Sequence, residues 1–141
     1  MNDCYIFSYL LRLNRRRVRC LRQALTPHQY VGTMHLLMFY LSNHPGASQD
    51  EICEHFALDK TNVARDAKRL EELGHIRRQV DSNNRRQYQL YLTEAGEAFI
   101  PVINDAYENF SKKLVANLSP EEVEALGVLL QKLDDNTASL P

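Results

Sequence analysis

The stretch SQDEICEHFALDKTNVARDAKRLEELGHIRRQVDSNNRRQYQLYLT, residues 48–93, decides the fold. Ser48 followed three residues on by Glu51 is a capping box, so a short helix opens here and runs through Phe56, with Ile52 and Phe56 turned inward. Asp59 is placed to cap a second helix over residues 60–73, which stops at Gly74. On that helix Val63, Ala67, Leu70 and Leu73 recur at spacings of four, three and three and form one small aliphatic face. Thr61, Arg65, Lys68 and Glu72 fall opposite, with Asn62 and Arg69 on the flanks. Residues 76–80 and 87–93 read as two strands, the second by its alternation, and the polar run DSNNRR between them is the turn.

Working outward, residues 4–24 form an approximate apolar stripe (Ile6, Leu10, Leu13, Leu21 and, just beyond, Leu25), so a first helix is expected there. Thr26-Pro27 is a helix-start signal, and a second helix, apolar almost all round, is expected from there to about Ser42. Beyond the hairpin, Ala95, Phe99, Val102, Ile103, Ala106, Phe110 and Leu114 recur at helical spacing, which predicts a long helix to about Leu118, with Pro101 as a kink or a late start. Ser119-Pro120-Glu121-Glu122 caps a last helix. The chain is therefore mainly α with a small β-hairpin wing. A short helix, a tight turn, a longer helix and a hairpin make a winged helix-turn-helix, a motif that inserts its second helix into a major groove.

The 141 residues suffice for one domain with a real core, and 44% hydrophobic with 25% charged residues is ordinary for a soluble globular chain. No apolar run approaches a membrane span. The N-terminus does not read as a signal peptide, since its arginines follow its apolar residues, and a cytoplasmic protein is the expectation. Three cysteines (Cys4, Cys20, Cys53) do not make a disulfide framework. The net charge of -1 speaks against a polyanion partner, but the charge is segregated. Residues 1–23 carry six arginines against one acid, and residues 60–93 carry eight bases against four acids. Residues 94–141 carry three lysines against nine acids.

The outer face of the helix over residues 60–73 offers hydroxyl, amide and guanidinium groups. Arginine reads guanine bidentately and asparagine reads adenine, whereas Thr and Lys more often hold phosphates. Lys60, at the helix start, lies where free N–H groups and a positive dipole end favour phosphate. Taken alone, such a face describes any solvated amphipathic helix. The basic hairpin that follows favours DNA, while the acidic short helix before it (Asp50, Glu51, Glu54) speaks the other way.

LTPHQYVGTMHLL, GASQDEICEHFALDKTNVARDAKRLEELGHIRR, DSNNRRQYQLYLTEAG and LSPEEVEALGVLLQKL resemble, in order and spacing over almost the whole chain, the MarR family of bacterial transcription regulators. The wing is the most specific piece: the family has Asp-x-Arg, a strand and Leu-Thr-x-x-Gly, and Asn84 stands here in place of the acid. The resemblance implies a homodimer, with residues 1–26 and 94–141 as dimerisation helices and residues 27–93 as the DNA-binding winged helix-turn-helix. It implies a repressor that binds pseudo-palindromic duplex DNA and is released by a small lipophilic or phenolic effector. Position by position, Ser48 falls where the family holds a phosphate, Thr61, Asn62 and Arg65 on the recognition face, and Arg86 at the wing arginine beside Arg85. Tyr9, Leu13, Tyr30 and Met34 are the candidate effector pocket, with core packing as the plainer reading. Cys4 falls near the reactive thiol of the oxidant-sensing branch, which gives one alternative, a cysteine-based oxidant sensor; another is a winged helix used only for protein contacts.

An enzyme is not expected. The histidines (His28, His35, His44, His55, His75) are scattered, no nucleophile–base set converges, and the glycines punctuate helices rather than form a phosphate loop. No cofactor and no metal site are expected.

Overall fold

A computed structural model describes residues 3–83 and 86–141. Asn84 and Arg85 of the expected wing therefore lie outside the described residues. The chain divides into two compact units, residues 1–107 and 108–141.

The first unit opens with helix α1 (Asp3–Leu25), followed by a 3-10 turn (Thr26–His28) and helices α2 (Met34–Asn43), α3 (Gln49–Phe56) and α4 (Lys60–Glu72). Strands β1 (Ile76–Val80) and β2 (Tyr88–Leu92) follow, then helix α5 (Glu94–Leu114), which runs on into the second unit. The strands pair antiparallel, with Ile76 opposite Leu92 and Val80 opposite Tyr88.

One expectation needs correction. The second helix does not start at Thr26-Pro27. Those residues make only a single 3-10 turn, and Gln29 (φ 68°) and Gly32 (φ 57°) then adopt left-handed backbone, which breaks the helix until Met34. The detour drops Tyr30 into the core, where its ring lies 4.5 Å from Phe99 of α5. The long helix also ends earlier than expected, at Leu114, and Pro101 lies inside it rather than at its start.

α2 is the core helix its composition demands: Met34, Leu37, Met38 and Leu41 are buried. Ile52 of α3, Val63, Ala67 and Leu70 of α4, Ile76 of β1, Leu90 of β2 and Ile103 of α5 close around it. Each large side chain so enclosed contributes about 1.5–3 kcal/mol relative to exposure. The expected inner face of α4 is present, with Leu73 half-buried at its end. Ahead of α3 the backbone runs along the far edge of β2: Gly46 N donates to Leu90 O and Leu90 N to Ala47 O, both at 2.9 Å. Two hydrogen bonds thus fix the start of α3 against the wing.

In the second unit α6 (Pro120–Thr137) starts on a complete capping box. Ser119 Oγ accepts from Glu122 N at 3.1 Å, and Ser119 N donates to Glu122 Oε1 at 2.9 Å. Val123, Leu126, Val128, Leu129, Leu130 and Leu133 of α6 are exposed. Among the described residues no helix is long and apolar enough to cross a membrane.

Candidate nucleic-acid interface

α4 begins where Asp59, in extended backbone, accepts Thr61 N on its Oδ1 at 2.8 Å. This leaves Thr61, Arg65 and Lys68 exposed along one line of the helix, one turn apart. Lys60 is exposed at its first position, Asn62 is half-buried and Arg69 lies exposed on the flank. Lys60 Nζ is 3.8 Å from Asp50 Oδ1 of α3, both largely exposed, so the pair adds little stability. What it does is lower the negative charge at the start of α3, next to the basic face.

Asp66 is a residue the periodicity missed. It sits on the inner side of α4 with no exposed surface. Its Oδ2 accepts Thr33 N at 2.7 Å and Thr33 Oγ1 at 2.8 Å. Its Oδ1 accepts Arg69 Nη1 at 3.2 Å and lies 3.5 Å from Arg65 Nε. Gly32 makes room for it: a Cβ there would stand 2.6 Å from Oδ2.

At the start of α3, Ser48 Oγ accepts Glu51 N at 3.1 Å, which leaves its own O–H to donate outward. A cleft of about 270 Å³ brings Ser48 together with Arg86 from the wing, as well as with Asp50, Arg78 and Tyr88. Arg78 was not singled out from the sequence. It lies two residues from Ile76, hence on the same face of the sheet, and that register is the signal that could have found it. Glu71 Oε2 stands 3.0 Å from Arg78 Nε but off the N–H direction: the two pair by charge, while this buried Nε has no hydrogen-bond acceptor among the described residues. The Arg78 guanidinium lies 5.6 Å from the Tyr88 ring centre. Arg86 is exposed at the end of the turn, whose start is shaped by Asn83 N donating to Asp81 Oδ1 at 2.8 Å. A hydroxyl donor, two guanidiniums and a helix N-terminus suit an oxyanion such as a phosphate.

The four candidate effector residues do not share one cavity. Tyr9 and Leu13 are exposed on α1, and Met34 is fully buried. Tyr30 lines a cavity of about 640 Å³ with Arg17, Val18, Leu21, Thr33 and His35 among its walls. Two tyrosine–histidine pairs brace this region. Tyr30 Oη lies 2.6 Å from His75 Nδ1, and His35 Nδ1 lies 2.6 Å from Tyr107 Oη. Burial pushes both phenols above their ordinary value and both imidazoles below theirs, His35 to about 4. Each pair is a hydrogen bond between a phenol and an imidazole Nδ1, its direction set by the imidazole tautomer. Cys4 is exposed near the start of α1, Cys20 is half-buried and Cys53 is buried.

Comparison with known proteins fits this geometry. A sequence model of the MarR family matches residues 32–87, from the loop before α2 through the wing. The uncharacterized HTH-type transcriptional regulator YybA of Bacillus subtilis (strain 168) is 30% identical over 112 residues, 79% of this chain and 71% of that protein. The crystal structure of the transcriptional regulator SlyA superposes with a TM-score of 0.89 at 26% identity, over 97% of this chain and 95% of that one. A mutant MarR from E. coli complexed with operator DNA gives a TM-score of 0.80 at 21% identity, over 96% and 94% of the two chains, a likeness of fold. Members of this family are transcription regulators and not enzymes. The match in sequence over most of its length, carried on a winged helix-turn-helix, means that this chain belongs to the MarR family of transcription regulators.

Proposed function

We propose that this regulator binds duplex DNA as a homodimer, one lobe to each half of a pseudo-palindrome, and represses transcription until an effector releases it. The observation that carries the reading is the joining of α4's outer face to the Ser48–Arg86 cleft through the neighbouring starts of α3 and α4. In this reading Arg65, Thr61 and Asn62 meet base edges, while Ser48, Lys60, Lys68 and Arg86 meet phosphates or the minor groove, with Arg69 on the flank and Arg85 beside the wing arginine. The solved fold relative held on operator DNA supports it. Residues 1–26 and 94–141 are the proposed dimerisation helices. Support comes from exposed apolar side chains on α1 (Tyr5, Phe7, Leu10, Leu11) and on α6 (Leu126, Leu129, Leu130), which a partner would cover. The cavity beside Tyr30, mostly apolar with Arg17 and Arg22 on its wall, suits a small lipophilic or phenolic effector.

The test is fluorescence anisotropy on duplexes selected from a random pool. Log affinity is expected to fall linearly with log salt at about 0.9 per phosphate neutralised. Arg86→Ala is expected to weaken all duplexes alike, about tenfold, and to lower the slope by about 1, the value for a single phosphate left with its counterions. Arg65→Ala is expected instead to lose discrimination at one base pair in each half-site, on the order of 1–3 kcal/mol. Affinity flat between low and moderate salt, or binding to no duplex, would sink the reading. Two variants that bind like the parent would show that the faces are misassigned.

A further inference from the structure

Resting on that DNA reading, we propose that Asp66 is a positioning residue for sequence recognition: from inside the lobe it holds the guanidinium of Arg65 on the reading face of α4 and that of Arg69 on its flank. The helical pattern calls for an aliphatic side chain here, between Val63 and Leu70 on the inner face. A carboxylate with no exposed surface is retained only where its oxygens are satisfied. The two oxygens divide the work. Oδ2 takes both donors of Thr33, which ties the middle of α4 to the residue that starts α2. Oδ1 faces the two arginines, at positions one before and three after it on the helix.

That division gives the arginines a common anchor. Arginine side chains are long and carry much rotamer entropy, so an untethered pair on a helix surface samples many poses. Asp66 takes one N–H of Arg69 in a hydrogen bond and stands 3.5 Å from Arg65 Nε as a charge partner. The side chains of Arg65 and Arg69 are still 50% and 44% exposed. A guanidinium held at one edge and open at the other is pre-organised for a bidentate acceptor such as a guanine edge. An untethered one is free to turn to whichever phosphate oxygen lies nearest. Asp66 thereby biases these arginines toward sequence reading and away from indiscriminate charge neutralisation. The bare Cα of Gly32 belongs to the device, because a Cβ would displace Oδ2 and with it the direction of Oδ1.

Asp66→Asn separates the roles. Its amide oxygen accepts from Thr33 as before, and its NH₂, a donor, faces the arginines and cannot hold them. The full chain is expected to melt within a few degrees of the parent. The ratio of affinities for a selected duplex and a scrambled one is expected to fall about tenfold, while the salt slope steepens by about 1–2 as the released arginines find phosphates. Thr33→Val, which leaves the charge pairs intact, is expected to lower the melting temperature and keep the ratio. A second readout needs no DNA: rotation of the Arg69 guanidinium, whose Nη1 donates to Asp66 Oδ1, is expected to be slow by NMR in the parent and averaged in Asp66→Asn. An unchanged affinity ratio, a parallel loss of both affinities together with melting temperature, or an Arg69 guanidinium equally mobile in both proteins overturns the proposal. A parent that binds no duplex overturns the DNA reading, and the NMR comparison then decides separately whether Asp66 holds the arginines.

Discussion

Gly96→Ala is expected to lower the melting temperature by about 10 °C, equivalent to about 3 kcal/mol at this chain length. Gly96 lies in the first turn of α5 and is buried. A Cβ on it would stand 2.0 Å from the backbone oxygen of His75 and 3.0 Å from its carbonyl carbon. Backbone cannot swing aside as a flexible side chain can, so α5 would have to move off the base of the wing. The oxygen in question is already engaged, accepting Thr93 N at 3.0 Å. Thr93 Oγ1 donates to Gly74 O and accepts Gly96 N, the latter at 3.0 Å. One small joint therefore holds the end of α4, both ends of the hairpin and the start of α5. Displacing α5 breaks a set of bonds and not a single one. Thermal and urea unfolding of parent and variant measure the effect, and a variant melting within about 2 °C of the parent would refute the packing argument. The same variant is expected to bind DNA more weakly, because the wing loses its fixed angle to α4.

This joint explains part of what the sequence made legible. Leu-Thr-x-x-Gly carries its own chemistry at fixed spacing: a hydroxyl that caps, an amide that ladders, a residue without a Cβ. Ser48 and Asp59 were readable as caps for the same reason, since each acts on a backbone N–H two or three residues away. The expectation that failed also rested on a local signal. Thr26-Pro27 is a sound helix start, but Gln29 and Gly32 take left-handed backbone, and burial of Tyr30 against Phe99 and His75 decides that path. Those partners lie 45 or more residues away in sequence. Asp66 was missed because periodicity counts apolar positions, and its partner Thr33 lies on another element, far away in sequence. Arg78 was hidden in a basic run whose alternation was not pursued across the hairpin. Of the four proposed effector residues only Tyr30 lines the cavity. The cavity lies along α1 from Arg17 to Leu25, beyond Tyr9 and Leu13, because the detour before α2 opens it there.

Stability is expected to drop by about 2 kcal/mol between pH 7.5 and pH 5 through His35 alone. Burial is the larger cause of its lowered pKa, Arg17 adds to it, and Asp66 opposes. The folded value is about 4 against 6.5 for the ordinary imidazole. The unfolded chain therefore takes up a proton that the folded one refuses. The stabilisation is complete above the unfolded value and is lost progressively as pH falls from 6.5 toward 4. The structural reason is the enclosure of the ring beside Tyr107 and near Arg17, where a charged imidazole is poorly solvated. His35→Gln keeps an acceptor for Tyr107 without the titration. The parent is expected to lose about 6 °C more than this variant on going from pH 7.5 to pH 5, at the conversion usual for a chain of this size. The second pair, Tyr30 with His75, shifts in the same direction but is present in both proteins, so it cancels from the difference. Parallel melting curves would show that His35 is not held neutral. Because His35 also lines the cavity beside Tyr30, its protonation places a cation in a wall that already carries Arg17 and Arg22. Below about pH 4 the cavity should therefore favour an anionic occupant over a neutral phenol of the same shape.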